Sequence, residues 1–154
     1  MMKNDSMNPV KPLVDSIIAL RTSLKQYYIQ KIKEQQLEIT YEMLQVLAAL
    51  WKKEQMNQQD IAIAIQKSKA SVTPLIDNLC KRDLVRRVSD PNDRRNNLIE
   101  LTVKGEEYRT LLDPVQQDLY CVILQEISEK KVLEITETLE KLTAIIEKQS
   151  YREP

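Results

Sequence analysis

Apolar residues recur along this chain at spacings of three and four, a helical rhythm interrupted in one region by a shorter one. Leu13, Ile17, Leu20, Leu24, Tyr28 and Ile32 form the first stripe. It predicts a long amphipathic helix reaching about Gln36, entered through Pro9 and Pro12. Residues 1–8 are polar and expected to fray. Ile39-Thr40 opens a second helix with Thr40 as its N-cap, burying Met43, Leu44, Val46, Leu47, Leu50 and Trp51. Lys52 and Lys53 end it, where cations suit the helix dipole. A short third helix is expected over 58–66, capped by Asn57, with Asp60 three residues on and Ile61, Ala62 and Ile65 inward. A fourth follows the brief link 67–69 and runs to about Lys81. Its inner face carries Val72, Leu75, Ile76 and Leu79. Pro74 bears on its start. A cap at Ser71 puts Pro74 at the third helical position, where its missing N–H costs little. A cap at Ser68 puts it inside and removes a hydrogen bond. The later or a distorted start is therefore expected.

The rhythm then changes. Leu84-Val85-Arg86-Arg87-Val88 and Leu98-Ile99-Glu100-Leu101 are strand-like runs. Between them lie Asp, Pro and Asn residues that favour a turn and whose side chains can bond the local backbone. Thr102 caps a fifth helix, with Gly105 in its first turn and Pro114 at a point where it can kink. Its stripe includes Tyr108, Leu111, Leu112, Val115, Leu119, Val122, Ile123 and Ile127. Ser128 caps a sixth, over about 129–149, with Val132, Ile135, Leu139, Leu142, Ile145 and Ile146. The order expected is ααααββαα: mainly α with a small β-hairpin. No repeat or low-complexity segment interrupts it.

Composition narrows the chemistry. The chain has 154 residues and a single glycine, Gly105, so a glycine-rich phosphate loop or Rossmann turn is excluded. It has no histidine, which removes histidine-based nucleophilic catalysis and most transition-metal sites. No nucleophile–base pair or metal cluster is visible, so an enzyme is not expected, nor a cofactor or metal. Two cysteines, Cys80 and Cys121, cannot build a disulfide framework; they read as small, partly buried hydrophobes. With no signal-peptide core and no membrane-length apolar run, the chain is expected to be cytoplasmic and to have no membrane partner. The formal net charge is zero, yet residues 67–104 hold 9 basic against 5 acidic groups, and residues 105–154 hold 6 against 11. The basic middle is where nucleic-acid phosphates would bind.

A short helix, a tight turn and a second helix with a small, polar outer face read as a helix-turn-helix, whose second helix fits the major groove. Ser68, Lys69, Ala70, Ser71, Thr73, Pro74, Asn78 and Lys81 are the candidate contacts on it. Asn78 has the groups to read an adenine edge, and Lys69 and Lys81 are placed for phosphates. That face lacks arginine, so no bidentate guanine contact is expected from its centre. The hairpin adds Arg86, Asp93, Arg94 and Arg95, making the whole a winged helix-turn-helix over 37–105. Residues 1–36 and 106–154 read as a helical dimerisation region. Apolar stripes on both end helices are more than the compact middle can cover, so pairing with a second copy is expected. Tyr27, Tyr28, Tyr41, Trp51, Tyr108 and Tyr120 can line a cavity among the first, second and fifth helices, or simply pack.

From Ile39 to Gly105 the chain resembles the MarR family of bacterial winged helix-turn-helix regulators. The residues that carry the likeness are Ile39-Thr40, Val46-Leu47, Asp60-Ile61-Ala62, Ser71 to Ile76 and Leu79 to Val85. The most specific is the wing signature Asp93-Arg94-Arg95, followed by Leu101-Thr102 and Gly105. The resemblance implies a homodimeric, sequence-specific DNA-binding regulator, more often a repressor, on a palindromic double-stranded operator. It implies that Arg95 enters the minor groove with Asp93 holding it and Arg94 adjacent. It also implies a small, often phenolic effector, for which Tyr28, Tyr41, Trp51 and Tyr108 are the candidates. Two other readings remain: a winged-helix interaction module without DNA binding, and a cysteine-based redox-responsive regulator. The chain departs from the family in placing Asp83 where a glycine is usual. It also has no cysteine before Cys80 and no histidine, so peroxide-sensing and zinc-sensing chemistry of relatives does not carry over.

Overall fold

The computed structural model describes residues 8–93 and 95–150. The expected fraying of the N-terminus, up to residue 7, lies outside the described residues. Helix α1 spans Val10–Glu34, α2 Tyr41–Lys52, α3 Gln58–Ala64 and α4 Lys69–Lys81. Strands β2 (Val85–Ser89) and β3 (Asn97–Leu101) precede α5 (Val103–Glu126) and α6 (Glu129–Ser150). A strand missing from the expected ααααββαα order, β1 (Gln55–Asn57), lies between α2 and α3. The sheet is antiparallel in the order β1-β3-β2, with Met56 opposite Ile99 and Arg87 opposite Ile99 on the other side. Gln-Met-Asn shows no alternation of its own. Only Met56 is buried, and the strand exists because β3 offers it a ladder.

Local chemistry fixes the ends of these elements. The Thr40 hydroxyl accepts from the Met43 N–H, Asn57 Oδ1 from Asp60, Thr102 Oγ1 from Gly105 and Ser128 Oγ from Lys131. All four caps are those the sequence predicts. The start of α4 is not. Ser68, not Ser71, is its N-cap, accepting from the Ser71 N–H at 3.1 Å, and Pro74 lies inside the helix. The N–H that Pro74 lacks would have bonded the carbonyl of Ala70, an exposed residue whose acceptor water can reach. The penalty is thus small, and the capped extra turn prevails.

Three helices end on a residue in the left-handed region: Gln36 (φ 53°), Gln66 (φ 54°) and Asp83 (φ 58°). After each, the next N–H bonds back to the carbonyl five residues earlier: Leu37 to Ile32, Lys67 to Ala62 and Leu84 to Leu79. These are Schellman closures built without glycine. Asp83 therefore makes, without glycine, the turn for which the resemblance implies one.

The chain divides into two compact units, Met1–Leu111 and Leu112–Pro154. The first has a close-packed centre of Val46, Leu47, Leu50, Ile61, Val72, Ile76, Leu79 and Leu84, all without solvent exposure. Val85, Ile99 and Met56 seal the sheet onto it. Gly105 lies so close to the Leu84 carbonyl that a Cβ there would stand 2.2 Å from its oxygen. The second unit holds the rest of α5 and all of α6, where no residue is fully buried. Among the described residues no helix is long and apolar enough to cross a membrane.

Candidate nucleic-acid interface

Helices α3 and α4 are joined by a tight turn. Gln66 reverses the chain and Ser68 at once caps the next helix. The buried positions Ile61 and Ala62 of α3 and Val72, Ile76 and Leu79 of α4 lock the pair together. This leaves two surfaces of α4 outside the core. Ser68, Ala70, Ser71, Pro74, Asn78 and Lys81 are exposed on the outer one, as expected of a groove-reading helix. Lys69, Thr73 and Asp77 step by four along the edge that faces the sheet.

Along that edge the molecule opens a cleft of about 300 Å³ lined by Asn57, Gln58, Gln59, Lys69, Arg87, Arg95 and Asn96, with Asn97 and Ile99 behind. Three cations and five side-chain amides line it, and no carboxylate does. Lys69 and Arg95 are thereby brought together. Arg87 was not among the sequence-predicted contacts, which named Arg86 instead. Strand alternation puts the two on opposite faces of the sheet. Arg87 pairs with buried Ile99 and shares the cleft face, and its Nη2 meets Asp77 Oδ1 at 2.6 Å. Arg86 pairs with Glu100 on the opposite face, its Nε 2.5 Å from Glu100 Oε1. Period-two counting from Val85, which is buried, would have found Arg87 from sequence.

Glu100 also accepts from Gln55 Nε2 at 2.5 Å. The hydrogen bonds from Gln55 and then Arg86 hold its carboxyl below the usual glutamate range. This three-residue clasp ties β1, β3 and β2 together on the side away from the cleft.

The wing turn is organised by its own side chains. Asp90 Oδ1 accepts from the Asn92 N–H at 2.8 Å and Asp93 Oδ1 from the Arg95 N–H at 3.0 Å. Asp93 Oδ2 takes the Asn96 amide, and the Asp90 N–H closes the loop on the Asn96 carbonyl. Asp93 thus positions Arg95 through its backbone rather than by gripping the guanidinium, which has no partner among the described residues. Arg94 lies outside the described residues.

The four aromatic candidates do not share one place. Tyr41 borders a groove of about 460 Å³ with Lys25, Ile29, Ile32, Leu37 and Ile39, between α1 and α2. Tyr28 stacks against Tyr41 with ring centres 6.4 Å apart but does not line the groove. Trp51 donates its indole N–H to the Gly105 carbonyl at 3.2 Å, bracing α2 against the start of α5. Tyr108 is half-buried on α5 and does not line this groove. Cys80 is half-buried beneath Arg87, and burial raises its thiol above the ordinary cysteine range; Cys121 is exposed. Among the described residues no group of histidine, cysteine or acidic side chains has the makings of a metal site.

A helix-turn-helix followed by a hairpin wing, with a cationic cleft between them, defines a winged helix-turn-helix protein. Residues 39–96 match the sequence model of the MarR family. The chain is 27% identical to the HTH-type transcriptional regulator SarZ of Staphylococcus saprophyticus, over 73% of this chain and 75% of that protein. It is 24% identical to the HTH-type transcriptional regulator MgrA of Staphylococcus aureus, over 90% and 92%. Its fold superposes on MepR in the S. aureus MepR–DNA complex with a TM-score of 0.76, at 26% identity, covering 85% of this chain and 96% of that one. Over residues 39–96 the chain is thus similar to the MarR family, and over most of its length it is similar to HTH-type transcriptional regulators and to a protein solved on DNA.

Proposed function

We propose that this protein is a ligand-responsive repressor that binds a palindromic operator as a homodimer. The observation that carries the DNA-binding part is the cleft that gathers Lys69, Arg87 and Arg95, with Arg87 held by Asp77 at its edge. It borders the N-terminal half of α4, the part of a recognition helix that meets base edges. With α4 in the major groove, the wing reaches the adjoining minor groove, and Arg95 is a side chain of its turn with no partner among the described residues. An arginine there reads the narrow, electronegative groove of A/T-rich DNA through shape and potential. Lys69 and Arg87 serve as phosphate contacts between the two. That MepR, a protein of the same fold, has been solved in complex with DNA supports the DNA-binding reading.

The effector part rests on the groove beside Tyr41. Apolar walls and one aromatic ring suit a small aromatic molecule, while Lys25, 5.5 Å from that ring, is already paired with Glu42 at 2.8 Å in the same groove. A ligand wedged between α1 and α2 bears on the helix that carries the helix-turn-helix.

The test is binding to DNA selected from a random pool, measured across salt concentrations. Arg95→Ala is expected to weaken binding and to lower the salt-dependence slope by roughly 1. Lys148→Ala, on exposed α6, serves as the reference and is expected to change neither. Equal, small effects of the two variants would remove the wing from the reading.

A further inference from the structure

Thr73 stands on the cleft edge of α4, and its hydroxyl is already occupied. Its Oγ1 donates to the Lys69 carbonyl at 3.1 Å. Gln58 Nε2 donates to the same Lys69 carbonyl at 3.2 Å and also to Thr73 Oγ1. A carbonyl only accepts, so the Gln58 atom facing Lys69 is its NH₂, and in this geometry the Thr73 hydroxyl, which accepts from Gln58, turns its proton to the same carbonyl. Both Gln58 amide hydrogens are then used as well. The side chain of Thr73 keeps a methyl group and one lone pair, and no donor.

We propose that Thr73 is a specificity residue that reads its base pair through its methyl group, selecting thymine, because the Gln58–Lys69 knot withholds its hydroxyl proton from the DNA. In the major groove guanine offers only acceptors, and its partner cytosine offers an amino donor that the lone pair can accept as well as adenine's, so the discrimination rests on the methyl group. The A·T pair offers a thymine methyl to pack on and an adenine amino group that the remaining lone pair accepts. A threonine outside such a knot would rotate and donate to any base acceptor, and would discriminate poorly. The inference rests on the DNA-binding reading above and deepens it.

The experiment uses the full chain and the highest-affinity DNA recovered from a random pool. Each thymine of one half-site is replaced in turn by deoxyuridine, which lacks only the methyl. At one position the wild-type protein is expected to lose about fourfold in affinity, the effect of one buried methyl group. Thr73→Ser keeps the hydroxyl and removes the methyl; it is expected to bind thymine and deoxyuridine DNA alike at that position. Thr73→Val keeps a methyl without the hydroxyl and is expected to retain the preference. Thermal melting of both variants checks that α4 is intact. A tight, salt-sensitive site indifferent to every deoxyuridine substitution would overturn the inference and leave DNA binding standing. So would a preference that survives in Thr73→Ser and vanishes in Thr73→Val. Failure to recover any bound DNA would overturn both.

Discussion

Gly105 shows how a single atom governs the junction between wing and helix. The Leu84 carbonyl that would meet its Cβ is not idle: it accepts the Thr102 N–H, while the Thr102 hydroxyl donates to the Asp83 carbonyl. Gly105 itself gives its N–H to Thr102 and its carbonyl to Trp51. The start of α5, the exit of α4 and the end of α2 therefore share one crossing point with no room for a side chain. Gly105→Ala must displace backbone, because the obstructing atom at 2.2 Å is a carbonyl and not a flexible side chain. The expected cost is about 3 kcal/mol, the upper end of overpacking penalties, read as a lower urea midpoint with unchanged slope. A midpoint equal to wild type would show that the approach is looser than the structure has it. The proposed DNA-contacting side chains are of the opposite kind. Arg95 and Lys69 are exposed, and their substitution is expected to alter binding without altering stability.

At the scale of elements, α4 tests how far local rules carry. Its buried stripe, its end at Lys81 and the hairpin after it are legible from Val72, Ile76, Leu79 and the change of rhythm at Leu84. Its start is not, because the sequence alone weighs the missing N–H of Pro74 against a second turn without knowing that Ala70 faces water. Ser68→Ala is expected to lower stability by about 1 kcal/mol, or roughly 2–4 °C in melting temperature for a chain of this size. Ser71→Ala is expected to cost less than half of that, since its hydroxyl only touches Ser68 Oγ at 2.7 Å on an exposed face. The reverse order of effects would restore the later start. The wing divides in the same way. Its turn is legible because Asp90 and Asp93 bond their own backbone. β1 is not, since Gln55–Asn57 becomes a strand only through β3, and the clasp on Glu100 is a product of that pairing. Arg87 was legible in principle by alternation. The Gln58–Thr73 bond, fifteen residues apart, had no sequence signal at all.

At the scale of the molecule, charge and apolar surface lie at different places along the chain, and the two together argue for a pair. Residues 67–104 carry a net +4 and hold the cleft, while residues 105–154 carry a net −5, which disfavours contact with phosphates. That acidic segment nevertheless exposes large apolar side chains: Leu133 at 63%, Ile145 at 55% and Ile146 at 62% on α6, with Val122 and Leu124 on α5. On α1, Val10, Val14 and Ile18 are exposed as well. Large apolar side chains exposed in each unit mark interface surface, and α6, with no buried residue, has little else to hold it in place. Two-fold pairing would cover such faces and would present two copies of α4, as the proposed palindromic site requires about one DNA turn apart. Sedimentation at micromolar concentration is expected to give a particle of twice 18.0 kDa. Ile146→Glu replaces an exposed residue of the single chain and so costs the monomer little. Across a two-fold interface it sets two buried carboxylates where apolar contact was. Dissociation to monomers is expected, together with a loss of roughly 100-fold in affinity for two-half-site DNA as the second contact ceases to be intramolecular. Affinity for an isolated half-site is expected to stay unchanged. A wild-type monomer, or a dimer indifferent to Ile146→Glu, would place the interface elsewhere and remove α6 from the mechanism of operator recognition.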